Sequence, residues 1–501
     1  MKKHISTYYV SALFSLLLLT TENLKSQVIT EKRIEFEQGE EYESYNMFPF
    51  GADGLLLYAK EEKGNVRKLE HYSTDLVADT KKEYEVPKGF VLTETYTDKE
   101  YLYQFFKDKK GNFQFYRFNA NDLAFKKAIG ILPKKTYPGV MVASGDFAYL
   151  SVRSKKGPSI LKINIESGKT TIIPIAISPY AAKYLSIENI QIMEATGEVM
   201  IYINAMNKKD HNLYVMHYGV DGKEKNTFNL SSKTEKKLSS VSASQLSEEE
   251  FVFTGTYSSR SAATSEGMYM CKTSGKDIDF MEFYNFTDFE DFFSYLPERK
   301  QEKIEKKKQQ ADSKNKELTY NYYMAEHPIT KIGDNYLMIA EAYYPTYRQE
   351  ARTTTSNGKT TTTYVTVFDG YQYTHASVAM FDNEGKKMWD RAIKMYPSYK
   401  PFVVKRFISE SVVNDEINLL FSSSNSIFSV AYNMKGDKIK DKKAELIVDE
   451  ENTKVKQSYS NIEFWYDINF IAHGYQTIKD KEESFGNKKR RVYFINKITY
   501  E

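Results

Sequence analysis

The chain contains one cysteine, Cys271, in 501 residues. A lone thiol has no partner on its own chain, so a disulfide framework is excluded. It also lies far from the N-terminal segment, where a lipid-anchored cysteine would stand. Within "GMYMCKTSG" it reads as a small apolar residue of a strand. Proline is scarce, with 12 residues, while tyrosine (40) and phenylalanine (31) are abundant. That mix favours β-strands and argues against a disordered chain. An excess of either charge is missing as well. The formal net charge is +3, and without residues 1–26, which hold three lysines and one glutamate, 67 basic side chains face 66 acidic ones. So close a balance gives no general attraction to nucleic acid or anionic lipid, and no nucleic-acid partner is expected.

A long apolar run is absent too. The stretch from Tyr8 to Leu19 falls short of the about 20 residues a membrane-spanning helix needs. Preceded by Lys2 and Lys3 and followed by a more polar segment ending near Ser26, it has the layout of a secretory signal peptide. The sequence therefore predicts a signal peptide over residues 1–26, cleavage near Ser26 or Gln27, and export to the periplasm or the cell exterior. No integral membrane segment is expected after cleavage.

Two segment types alternate along the rest. One is a short, nearly continuous apolar run: "GLLLYAK", "EYLYQFF", "DFAYLSV", "EVMIYIN", "EFVFTGTY", "NYLMIAEAYY", "EINLLFSS" and "NFIAHGY". Such runs, rich in β-branched and aromatic residues and bounded by polar turns, predict strands covered on both faces. The other alternates apolar with polar, as in "NFQFYRFNA", "SILKINIES", "NLYVMHYGV", "SIFSVAYNM" and "RVYFINKITY". It predicts the next strand outward. After this second type a glycine turn recurs at Gly168, Gly222, Gly275, Gly385 and Gly436, at intervals near 50 residues except for one near twice that.

Two insertions account for the long interval. Residues 288–318 are charged and helix-favouring, and residues 349–374 carry an Asn357–Gly358 turn between threonine-rich strands, a strong hairpin signal. A four-stranded antiparallel unit recurring every 45–55 residues or so predicts a β-propeller blade. The expected fold is all-β: a single propeller over residues 27–501, with blades beginning near Tyr45, Phe90, Val140, Ile187, Ser240, Tyr322, Phe402 and Ile462. Eight blades is the reading, with seven as the alternative if one unit merges with an insertion. The last unit ends after three strands. The N-terminal "VITEKRIEFEQ" would supply its fourth and remove two open sheet edges.

"DNEGKKMWDRAI" resembles the D-x-x-G-K-x-x-W signature of PQQ-like β-propeller repeats, on Asp382, Gly385, Lys386 and Trp389. Gly168-Lys169, Gly222-Lys223 and Gly275-Lys276 keep the turn without the tryptophan. The whole resembles exported bacterial propellers with PQQ-like or WD40-like repeats. The resemblance implies an architecture, and a quinone-dependent oxidoreductase is its weakest implication.

Signatures of chemistry are few. H-E-x-x-H, C-x-x-C and G-x-S-x-G are absent. Gly168-Lys169-Thr170 lacks the glycine five residues earlier that a phosphate loop requires, since position 163 is Ile163. His71, His211, His217, His327, His375 and His473 form no close ligand pair, and "FDNEG" lacks the further acids of a calcium loop. No catalytic residue, metal or cofactor is assigned. The basic stretch Glu298–Lys316 has its lysines interleaved with acids and reads as a solvated arm. The candidate binding surface is the hairpin insertion and its flanks: Tyr343, Tyr344, Tyr347, Arg348, Arg352, Tyr364, Tyr371, Tyr373 and His375. Tyrosine and arginine combine contact area with a polar tip and serve as anchors in recognition surfaces. The expected partner is a protein of the cell envelope, with the chain acting as a binding or scaffolding module. The alternative is a glycan, bound or processed.

Overall fold

The computed structural model of the protein describes residues 28–500 except 40–41, 62–63, 194, 208–209, 261–262, 357, 449–452 and 481–488. The signal-peptide reading over residues 1–26 and Asn357 of the expected hairpin turn lie outside the described residues.

Among the described residues, strands pair into eight antiparallel sheets that follow one another along the chain. Sheet 1 runs from Tyr42 to Glu85, sheet 2 from Val91 to Ile131, sheet 3 from Tyr137 to Pro174 and sheet 4 from Leu185 to Asn229. Sheet 5 runs from Lys237 to Asn285, sheet 6 from Tyr323 to Lys394 and sheet 7 from Ser409 to Glu445. In sheet 8, Thr453–Tyr466, Asn469–Asp480 and Lys489–Tyr500 are joined by Val28–Glu37 from the other end of the chain. In sheets 5 and 6 two short segments share the place of the first strand.

All eight apolar runs become second strands. Leu55–Glu61 and Tyr101–Lys107 show why: neighbouring sheets press on both faces, so nearly every position is buried and polar alternation is lost. The five alternating segments become third strands. The fourth strands, such as Ala78–Glu85, are largely exposed and carry the charges. The turns at Gly168, Gly222, Gly275, Gly385 and Gly436 all connect third to fourth strands, and all five glycines have positive φ. Trp389, on the fourth strand of sheet 6, reaches the corresponding turn of sheet 7.

Eight apolar clusters hold the sheets together, and each joins two consecutive ones. Leu56, Tyr58 and Leu69 of sheet 1 meet Leu102, Phe106 and Tyr116 of sheet 2, and the pattern continues sheet by sheet. The eighth cluster packs Trp465, Ile471 and Tyr493 of sheet 8 on Tyr45, Leu55 and Leu57 of sheet 1. Burying one such side chain stabilises by about 1.5–3 kcal/mol.

The pairing of Val28–Glu37 with Lys489–Tyr500 is the one the orphan N-terminal strand predicted. Arg33 secures it, donating from Nη2 to Gln476 at 2.7 Å and from Nη1 to Asn496 at 3.1 Å. Two expected boundaries move. The seventh sheet begins at Ser409 rather than near Phe402, because residues 396–408 form an irregular strap along sheet 6. The eighth begins at Thr453, earlier than Ile462, because its first strand is long. The charged insertion holds a helix, Glu298–Asp312, with no buried residue. Cys271 is buried in sheet 5, and burial pushes its thiol up to about 12.

Candidate functional site

First strands of six consecutive sheets, with residues 327–329 between the two short first-strand segments of sheet 6, line a cavity of about 1590 Å³. Its wall is polar where the strands present alternate side chains inward. From sheet 4, Glu188 accepts a hydrogen bond from Asn204 Nδ2 at 2.7 Å. From sheet 6, Glu326 accepts one from Thr256 Oγ1 at 2.6 Å. Both carboxyls stand above the usual carboxylate range, chiefly because burial removes water from the charged form. The charge of Glu326 raises Glu188 further. Arg406 donates Nε to the backbone carbonyl of Glu326 at 2.6 Å, and burial lowers its guanidinium.

A second polar group lies beside the strap. Lys405 hydrogen-bonds Tyr399 and Asn461, its ammonium lies 4.5 Å from the Phe407 ring centroid, and burial brings its amine down to about 8. Glu463 stays below its ordinary range despite burial, because His473 sits 3.0 Å from it and the charges of His473 and Lys405 favour the carboxylate. Glu341, fully buried, accepts backbone N–H groups of Phe407 and Ile408 and faces His327 Nε2 at 2.9 Å. Among the described residues no group of three or more His, Cys, Asp or Glu could hold a metal ion. Asp382 of "FDNEG" is occupied by the backbone N–H groups of Glu384 and Lys386.

The hairpin expected at residues 349–374 is longer than its sequence signal. Asn335–Ser356 and Lys359–Phe381 are the second and third strands of sheet 6 and pair down to Ser356↔Lys359, with register shifts at Ala342/Tyr343 and Pro345/Tyr347. The first strand of the sheet reaches only Tyr343, and the fourth only His375. Beyond those positions the two strands continue without a further strand, and the strap accompanies the third strand as far as Phe368.

The nine candidate residues divide accordingly. Tyr343, Tyr371 and Tyr373 pack the base, with Tyr343 5.1 Å from Tyr371 and 5.4 Å from Tyr373 between ring centroids. Tyr373 is buried and accepts the backbone N–H of Lys405 at 3.0 Å, pinning the strap. His375 is fully buried, stacked on Tyr295 at 3.8 Å, and burial lowers it to about 3. Arg348 pairs with Glu350 and with Asp369, which also receives Lys400 of the strap. Tyr344, Tyr347, Tyr364 and Arg352 are exposed.

The structure adds residues that sequence reasoning missed. Phe402 and Val403 are 65% and 71% exposed, and Tyr347 is 62% exposed. Phe402 lies 5.8 Å from Phe368, which lies 6.0 Å from Tyr347, so the strap and the hairpin base share one apolar surface. The signal was present in "PFVV", three apolar residues after a proline. Glu188 and Glu326 carried none, being two carboxylates among 66.

The class these features define is a β-propeller. No family model and no curated protein matches the chain. Many solved structures resemble it, among them the following three. The Dos1 propeller is 9% identical, with 94% of this chain and 95% of that one covered and a TM-score of 0.42. The β-propeller domain of Nup133 from Vanderwaltozyma polyspora is 11% identical, covering 81% and 100%, with a TM-score of 0.39. The polysaccharide lyase Uly1 is 9% identical, covering 94% and 100%, with a TM-score of 0.38. The sheet order and the eight packing clusters of this chain, rather than these distant likenesses, define its fold.

Proposed function

We propose that the chain is a single closed eight-bladed propeller, exported after loss of residues 1–26, that binds a protein partner of the cell envelope. The Trp389 dock supports the PQQ-like character of its repeats, and the apolar N-terminal segment supports export. The observation carrying the binding reading is the surface of Tyr347, Phe368 and Phe402, with the exposed Val403 beside it. Large apolar side chains gathered on a surface and rimmed by charges mark interaction sites. Here Arg348, Asp369 and Lys400 form the rim and hold strap and hairpin in register. The surface is pre-formed, so little ordering cost opposes binding.

A photo-crosslinking residue at Phe402, introduced in the native envelope, is expected to capture one discrete protein. The double variant Tyr347→Ser/Phe402→Ser should lose that partner with no change in melting. Failure to capture any reproducible species, or capture that survives the double variant, defeats the reading.

Glycan binding is the second reading, favoured by the polar cavity and its paired acids Glu188 and Glu326. A polysaccharide panel should then give binding that Glu326→Gln weakens, and a panel negative throughout removes it.

A further inference from the structure

From the projecting half of the hairpin we infer that two copies of this chain associate through the free edge of residues 347–355, forming a four-stranded sheet across a two-fold axis at Ala351. This goes beyond the proposed binding surface, which lies at the hairpin base.

Between Tyr344 and Ser356 the outer edge has no strand partner among the described residues, and a row of backbone donors and acceptors is left open. A two-stranded ribbon with no sheet or helix on its faces is marginal in water, and this one continues for about 12 residue pairs. Pro345 and the register shift at Pro345/Tyr347 blunt the edge only at its base, and beyond them its protection rests on the charges of Arg348, Glu350 and Arg352. After Pro345 the segment holds no proline, and threonine dominates it. The hydroxyls of Thr353 and Thr362, and of Thr355 and Thr360, meet at 3.2 Å.

The edge is complementary to itself. In an antiparallel pair centred on Ala351, Glu350 of each copy stands opposite Arg352 of the other. Arg348 of its own strand holds Glu350 through Oε1, so Oε2 is the oxygen that would take the partner's guanidinium and complete two reciprocal ion pairs. Arg352 is exposed, and its guanidinium has no hydrogen bond or ion pair among the described residues, so it is free to take that role. Opposite charges directly across a strand pair stabilise it, and like charges destabilise it. At the axis, alanine lets the strands approach. Its cross-strand neighbour Tyr364, 74% exposed, would bring an aromatic ring from each hairpin to the same face as the alanines. Antiparallel pairing places the two propeller bodies at opposite ends of a ribbon roughly 30 Å long, clear of one another.

Sedimentation velocity of the purified protein over a range of concentrations tests this. The wild type should sediment as a dimer. Arg352→Glu and Glu350→Arg should each weaken the dimer at least ten-fold, because each places like charges opposite one another. The double variant Glu350→Arg/Arg352→Glu should restore it. Unchanged far-ultraviolet circular dichroism of all three variants will show that they are folded. A wild type that stays monomeric, a dimer indifferent to the single reversals, or a double variant that fails to recover overturns the inference. The Phe402 surface is tested separately, by partner capture.

Discussion

Trp389 donates its indole N–H to the carbonyl of Met434 at 3.0 Å, and Gly436 leaves open the space its ring occupies. A Cβ on Gly436 would stand 2.6 Å from Cδ2 of that indole. One sheet's outer strand thus locks into the next sheet's turn, with Arg391 adding a bond to the Gly436 carbonyl at 2.7 Å. Phe280 and Gly385 repeat the relationship one sheet earlier, where a Cβ would stand 2.5 Å from the phenyl ring.

Gly436→Ala is therefore expected to destabilise the protein by two separate effects. The residue has φ of 80°, which costs a non-glycine about 1–2 kcal/mol, and the added methyl collides with a buried ring. Gly275→Ala carries the same kind of backbone strain, yet no atom lies within 4 Å of its Cβ. Denaturant unfolding should show the larger loss at Gly436, and equal losses would mean that the indole does not depend on the turn.

Removal of residues 28–37 should lower the melting temperature by about 5 °C or more. The segment covers the outer edge of sheet 8 over its whole length, from Val28↔Tyr500 to Glu37↔Val492. Arg33→Ala should give a smaller loss, since it removes the bonds to Gln476 and Asn496 and the stacking on Phe494 at 4.5 Å. Unchanged melting of the truncated chain would show that the ends are not mechanically joined.

Replacing residues 349–366 with a two-residue turn is expected, at concentrations too low for the chains to associate, to leave melting within about 2 °C of the wild type. Those residues pair only with each other, and most are exposed. A large loss on calorimetry would place the hairpin inside the cooperative unit instead.

His375 predicts an acid-sensitive contribution to stability. Phe292, Tyr295 and Tyr322 enclose its ring, Thr374 Oγ1 lies 3.0 Å from Nδ1, and burial lowers it to about 3. An unfolded histidine titrates near 6.5. Between those values the unfolded chain binds the proton and the folded chain does not, so stability falls as pH drops below about 6.5. The slope approaches about 1.4 kcal/mol per pH unit. His375→Phe keeps an aromatic ring there and removes this component. Between pH 7 and 4.5 the wild type should lose roughly 2–3 kcal/mol more than the variant, and identical losses would refute the assignment.

Much of the framework was legible in order along the chain. All eight second strands stood out because burial on both faces writes a continuous apolar run, and five hairpins because their turns take glycine. The N-terminal strand was inferred from a count, three strands where four were needed. The binding surface was legible only in part. Tyr344, Tyr347 and Tyr364 are exposed as a recognition role requires, whereas Tyr373 and His375 are consumed by the packing beneath them. Nothing in spacing distinguishes those two groups, because alternation along a strand says which residues share a face and not what covers that face.

Local pattern alone settled the strands, the turns and the two insertions, since each depends on neighbours a few residues away. Which side chains meet across the molecule was decided by the arrangement of the sheets. Phe402 joins Phe368, Glu188 feels Glu326, and Arg33 reaches Gln476 over separations of 34, 138 and 443 residues. Those meetings depend on how far each sheet is turned from the last, an angle set by core packing and written in no single segment.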